Sequence, residues 1–117
     1  MKNDLHVKLS VRLFTDEKCF GPGVAELLHR VDECHSLRAA AQSMEMAYSK
    51  AWMVIHRSEG ALGFPLLNSS TGGKNGGGAT LTGEARQMLE AYDAYSAALR
   101  RWASEKFEEY FAFFEEL

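Results

Sequence analysis

Residues 72–78 read Gly72-Gly73-Lys74-Asn75-Gly76-Gly77-Gly78, with five glycines in seven positions. Neither a helix nor a buried strand continues easily through such a run, because glycine loses the most backbone entropy on ordering. The run divides the chain into an N-terminal part and a C-terminal part. By composition alone it is a flexible linker. The other reading is a hairpin tip whose backbone offers unobstructed N–H donors to a phosphate or a groove. Phe64 to Leu67 before it and Ala79-Thr80-Leu81 after it can be the two strands of that hairpin. A nucleotide-binding phosphate loop is excluded, since it requires glycine at Asn68 and Ser or Thr at Asn75.

Upstream, Val7, Leu9, Val11 and Leu13 alternate with Lys8, Ser10 and Arg12, which predicts a half-buried strand. Thr15-Asp16-Glu17-Lys18 is a turn composition, and Cys19-Phe20 begins a short return strand. After Gly21-Pro22-Gly23 the apolar period becomes helical, with Val24, Leu27, Leu28, Val31 and Cys34 on one face. Ser36 is an expected N-cap for a second helix. Glu45-Met46-Ala47 breaks it, and a third helix is expected from Tyr48 to Leu62, with Ala51, Trp52, Ile55 and Leu62 inward. Gly63 and Pro65 stop that helix. Thr82 is the next N-cap, and residues 82–117 read as one long helix. Met88, Leu89, Tyr92, Tyr95, Leu99, Trp102 and Tyr110 or Phe111 form a stripe along it. A helix that long outruns a small domain, so the stripe implies a partner helix, most simply from a second copy.

The expected fold is therefore mainly α with small β-hairpins, a winged helix-turn-helix with a long C-terminal dimerisation helix. The 117 residues form one domain, with an N-terminal β-hairpin at 7–20, the winged helix-turn-helix at 22–81 and the dimerisation helix at 82–117. Net charge is −3, which by itself argues against a nucleic-acid binder. Resolved by segment, residues 1–35 carry −1, residues 36–82 carry +2 and residues 83–117 carry −4. The positive charge is thus concentrated in the middle third. No apolar run approaches membrane-helix length, and the N-terminus has no secretory h-region, so the expected place is the cytoplasm. Cys19 and Cys34 are then free thiols.

At this point the residues resemble the DNA-binding domain of ModE-type molybdate-responsive transcriptional regulators, itself related to the winged helix of LysR-type regulators. Three stretches carry the likeness. They are Phe20-Gly21-Pro22-Gly23 with Leu27-Leu28 and Val31-Asp32-Glu33; Ser36-Leu37 with Ala40-Ala41 and Met46-Ala47-Tyr48-Ser49-Lys50-Ala51-Trp52; and Thr71 to Thr82. The resemblance covers roughly residues 7–100 and favours the wing over the linker. The sequence departs from the family at three places. Ala47 stands where Ser or Thr is usual, Asn75 where glycine is usual, and Asn68-Ser69 where Glu-Arg is usual. Family sensors bind molybdate in C-terminal β-barrel modules that these residues do not include, so molybdate binding by that route is not expected.

The resemblance implies a DNA-binding transcription regulator that acts as a dimer on double-stranded DNA. The expected DNA contacts are Arg38, Tyr48, Ser49, Lys50, Met53, His56, Arg57, Thr71 and Lys74. Ser49 and Lys50 can donate to base edges or phosphate, Met53 can meet a thymine methyl, and Tyr48 can bond a phosphate. The plain alternative is a solvated helix face. No catalytic motif, metal spacing or cofactor signature is present, so no enzyme activity, metal or cofactor is expected. The aromatic C-terminal end fits dimer contact; a protein-interaction module using the same surface is the competing reading.

Overall fold

The structure is a computed structural model that describes residues 3–70 and 78–117. It contains β1 (Leu13–Phe14), β2 (Lys18–Phe20), α1 (Pro22–Cys34), α2 (Leu37–Ser43), α3 (Tyr48–Leu62), β3 (Leu67–Ser70), β4 (Gly78–Leu81) and α4 (Gly83–Phe111). A 3-10 turn, Ala112–Glu116, follows. The two hairpins form separate antiparallel two-stranded sheets. Among the described residues no helix is long and apolar enough to cross a membrane.

Local chemistry explains most of the boundaries. Ser36 Oγ accepts from the Ala39 N–H at 3.1 Å, and Thr82 Oγ1 accepts from the Ala85 N–H at 3.0 Å. Thr82 Oγ1 also donates to the Pro65 carbonyl at 2.8 Å, so one side chain caps α4 and ties it to the chain leading into β3. Gly63 closes α3 at φ 91°, in the left-handed region that glycine enters without strain, and its N–H donates to the Glu59 carbonyl at 2.8 Å. Ala47 occupies the N-cap of α3 and makes no side-chain hydrogen bond there.

The core lies where α1 crosses the other elements. Phe20, Leu27, Leu28 and Val31 are fully enclosed, with Ala40 and Ala41 from α2, and Ala51 and Ile55 from α3. Leu81, Ala85, Leu89 and Tyr92 close it from the wing and α4. The alanines let α2 and α3 approach α1 closely, so the helix-turn-helix forms a rigid unit. Arg30 reinforces it: Nη1 donates to the Ser43 carbonyl at 2.8 Å and Nε to Glu26 at 2.7 Å.

Four expectations change. The strand expected through Val7, Leu9 and Val11 is absent; pairing is confined to Leu13↔Phe20 and Phe14↔Lys18. β2 has only three residues, so nothing is left for Val7 and Leu9 to pair with, and they are 40% and 39% exposed. Val11 alone reaches the core, and its carbonyl accepts from the Tyr92 hydroxyl at 2.7 Å. The N-terminal hairpin is thus shorter than the 7–20 span.

The strand expected from Phe64 begins at Leu67 instead. Pro65 has no N–H to pair, and the Leu66 N–H is already taken by Glu59 Oε2 at 2.7 Å. The long helix ends at Phe111 rather than running to 117. The fourth change is Trp52, expected inward but 45% exposed. Ala51, Ile55 and Ser58 define the inward face of α3, and helical spacing puts Trp52 about a quarter turn round from it.

The stripe on α4 divides. Leu89 and Tyr92 are buried in the chain's own core, and Met88 and Leu99 pack partly against it. Those positions serve the intrachain fold, because the first half of α4 lies over α1 and the N-terminal segment. Tyr95, Trp102, Tyr110 and Phe111 remain open.

Candidate nucleic-acid interface

α2 and α3 are joined by a tight turn at Met44-Glu45-Met46-Ala47, with Glu45 at φ 54°. The Met46 N–H returns to the Ala41 carbonyl at 2.9 Å, which fixes the angle between the helices. Because Ala51, Ile55 and Ser58 turn inward, helical geometry sends Ser49 and Met53 directly outward. Lys50 and Arg57 flank them on one side, and Trp52 and His56 on the other. All six are exposed.

Arg38 crosses from α2, its guanidinium carbon 4.3 Å from the centre of the Tyr48 ring. This contact holds the arginine against the start of α3 without neutralising it. Among the described residues, Arg38, Lys50 and Arg57 make no ion pair. Three cations without ion pairs among the described residues around α3 raise the local positive potential within a net-negative chain.

The wing packs on α1 and α4. Its register is Leu67↔Leu81, Asn68↔Thr80, Ser69↔Ala79 and Ser70↔Gly78. The Ala79 N–H donates to the His35 carbonyl at 2.9 Å, which anchors the wing's return strand to the end of α1. The expected contacts Thr71 and Lys74 lie outside the described residues.

Glu45 stands in the α2–α3 turn itself, and other acidic groups are paired away from the outward face of α3. On the α1–α4 side, Asp32 accepts from Arg86 at 2.8 Å, and His29 pairs with Asp93 at 2.7 Å. The hydrogen bond and charge of Arg86 hold the Asp32 carboxyl below its ordinary range, against a smaller opposing effect of burial. The Arg86 guanidinium is correspondingly raised. Cys19 is buried, its thiol directed at the Leu13 carbonyl, and Cys34 is exposed. Among the described residues no group of three His, Cys, Asp or Glu side chains could hold a metal ion.

The model of the bacterial regulatory helix-turn-helix proteins of the lysR family matches residues 24–86, from α1 through the wing to the first turn of α4. The chain belongs to this family. It is a winged helix-turn-helix domain of a class of DNA-binding regulators rather than enzymes. It is similar to the transcriptional regulator ModE of Haemophilus influenzae, 38% identical over 96 residues, which are 80% of this chain and 36% of that protein. The DNA-binding transcriptional dual regulator ModE of Escherichia coli is 32% identical over 89 residues, 76% of this chain and 32% of its own length. The molybdenum-pterin-binding protein MopB of Rhodobacter capsulatus is 32% identical over 78 residues, 67% of this chain and 29% of that protein. The chain thus spans about a third of the length of these relatives.

The lysR-family match includes every described residue expected to touch DNA. The sequence pattern assigns Trp52 to the core because a tryptophan at helical spacing reads as core. The available signal was its i, i+4 relation to Tyr48 and His56, both on the open side of α3.

Proposed function

We propose that this lysR-family domain binds a specific DNA sequence as a symmetric dimer and regulates transcription. The observation that carries the reading is the face of α3. Ser49, Lys50, Met53, His56 and Arg57 project from a helix whose other side is locked into the core. Such a helix enters the major groove with Ser49, Met53 and His56 against base edges, while Arg38 and Tyr48 at its start and Lys50 and Arg57 along its flank meet phosphates. Thr71 and Lys74, which follow β3 in sequence, are the proposed contacts to the DNA backbone beside the groove.

The dimer reading rests on the open aromatic residues of α4. Tyr95, Trp102, Tyr110 and Phe111 are all exposed, and Tyr110 is 72% so. Exposed aromatic side chains in this number on one helix mark an interaction surface. A second copy presenting the same stripe satisfies it by symmetry and places two α3 helices for a pseudo-palindromic site. The name of the Rhodobacter capsulatus relative connects that protein with molybdenum, and a role in molybdenum-related regulation is the matching proposal for this chain. No oxyanion contact is assigned to the described residues.

Fluorescence anisotropy with genomic fragments at low and moderate salt tests the function. Tight, sequence-selective, salt-sensitive binding is expected. Absence of binding to any duplex at low salt would refute it. A monomer that forms a stable complex with another protein and ignores DNA would instead favour the interaction-module reading of the aromatic surface.

A further inference from the structure

Trp52 and His56 stack face to face on the open side of α3, with ring centres 3.6 Å apart and planes 19° from parallel. Neither ring contributes to the core, and both lie beside Met53 and Ser49 on the outward surface. The stack fixes the plane of the imidazole. A second contact fixes its protonation pattern: Nδ1 lies 3.0 Å from the Trp52 carbonyl oxygen. A carbonyl only accepts, so Nδ1 carries the proton in this bond. In the neutral ring Nε2 is then a pure acceptor, on the edge of the imidazole directed away from the helix backbone.

We propose that the Trp52–His56 pair is a base-reading unit in which His56 Nε2 accepts from the exocyclic amino group of an adenine or cytosine. This inference rests on the DNA-reading role proposed above. In the major groove adenine offers N6–H2 and cytosine N4–H2, whereas guanine offers only N7 and O6 and thymine only O4 and a methyl group. An acceptor held in place therefore favours amino bases and leaves an unpaired acceptor against keto bases. Trp52 supplies what a lone exposed histidine lacks. Its ring restricts the imidazole to one orientation, so less freedom is lost on binding. It also shields one face of the imidazole from water.

Selection from a randomised duplex pool, using the full chain, tests the assignment. The wild type is expected to enrich a site in which one position per half-site prefers A or C over G or T by about fivefold, the low end of single-base discrimination. His56→Arg presents only donors and is expected to switch that position to G while the others hold. Trp52→Ala is expected to weaken the preference at the same position. Nitrogen NMR of the free protein is expected to find the His56 proton on Nδ1.

Identical base preferences at every position in wild type and His56→Arg would overturn the proposal while leaving DNA reading intact. So would a proton on Nε2. Uniform loss of enrichment in both His56→Arg and His56→Ala, with helix content unchanged, would also overturn it, because His56 would then be a general contact. If the wild type enriches no sequence, the DNA-reading role itself fails and this assignment falls with it.

Discussion

Removing Lys50 should change how binding responds to salt by an amount that the geometry sets. Arg38, Lys50 and Arg57 are the cations of the α2–α3 face free of ion pairs among the described residues. If each meets one phosphate, the proposed dimer neutralises six through this face. Each neutralised phosphate contributes about −0.9 to the slope of log affinity against log salt, giving about −5.4 for this face. Between 50 and 200 mM salt that slope weakens binding roughly 2,000-fold. Lys50→Ala removes two of the six contacts, so the slope should fall to about −3.6 and the loss over the same range to roughly 150-fold. Lys50 is exposed on α3 and absent from the core, so the substitution should leave the fold unchanged. Anisotropy titrations at four or five salt concentrations, on a selected duplex and on a scrambled one, supply the slopes. An unchanged slope with weaker binding only to the selected duplex would refute the phosphate contact and move Lys50 to a base edge. An unchanged slope with unchanged affinity on both duplexes would remove Lys50 from the interface.

Other residues give independent tests. Tyr92→Phe keeps the ring against Phe20 but leaves the Val11 carbonyl without its 2.7 Å partner; urea unfolding should show a loss of about 1–3 kcal/mol. Ala47→Ser restores a side-chain cap to α3 and should stabilise the domain by about 1 kcal/mol in the same assay. Trp102→Glu places a charge on the exposed aromatic face of α4, and analytical ultracentrifugation should show a shift from dimer to monomer with the helix content intact. Asp32→Asn should lower the melting temperature slightly at neutral pH, where the carboxylate is paired with Arg86. Because the folded carboxyl titrates below its unfolded value, that contribution is present above the unfolded value and disappears as the pH falls through the folded one. The two melting curves should therefore converge in acid.

How much of this was legible in the sequence depends on whether a signal is local. Ser36, Thr82 and Gly63 end or start helices through bonds to neighbours three or four residues away, so their roles are readable without the fold. The glycine run shows its position between β3 and β4 for the same reason, since both strands are adjacent in sequence. Val7 and Leu9 mislead because alternation reports a possible face and says nothing of a partner. Their partner would have to be β2, and β2 is too short. Trp52 misleads differently. Apolar spacing gives a stripe about 100° wide, and which edge of that stripe is inward depends on how closely α3 approaches α1. That approach is set by Ala40, Ala41 and Ala51, two of them on another helix. The aromatic stripe of α4 combines both problems. Its period is one, yet Leu89 and Tyr92 are claimed by the chain's own core while Trp102 and Tyr110 extend beyond it. The residues Val7–Ser10 lie alongside Arg100, Ala103 and Ser104, so the fold reaches the level of Trp102, yet Tyr95 and Trp102 stay open because they lie to the side of the face that Leu89, Tyr92 and Ser96 turn inward. For that reason the partner-copy test belongs at Trp102 and not at Leu89.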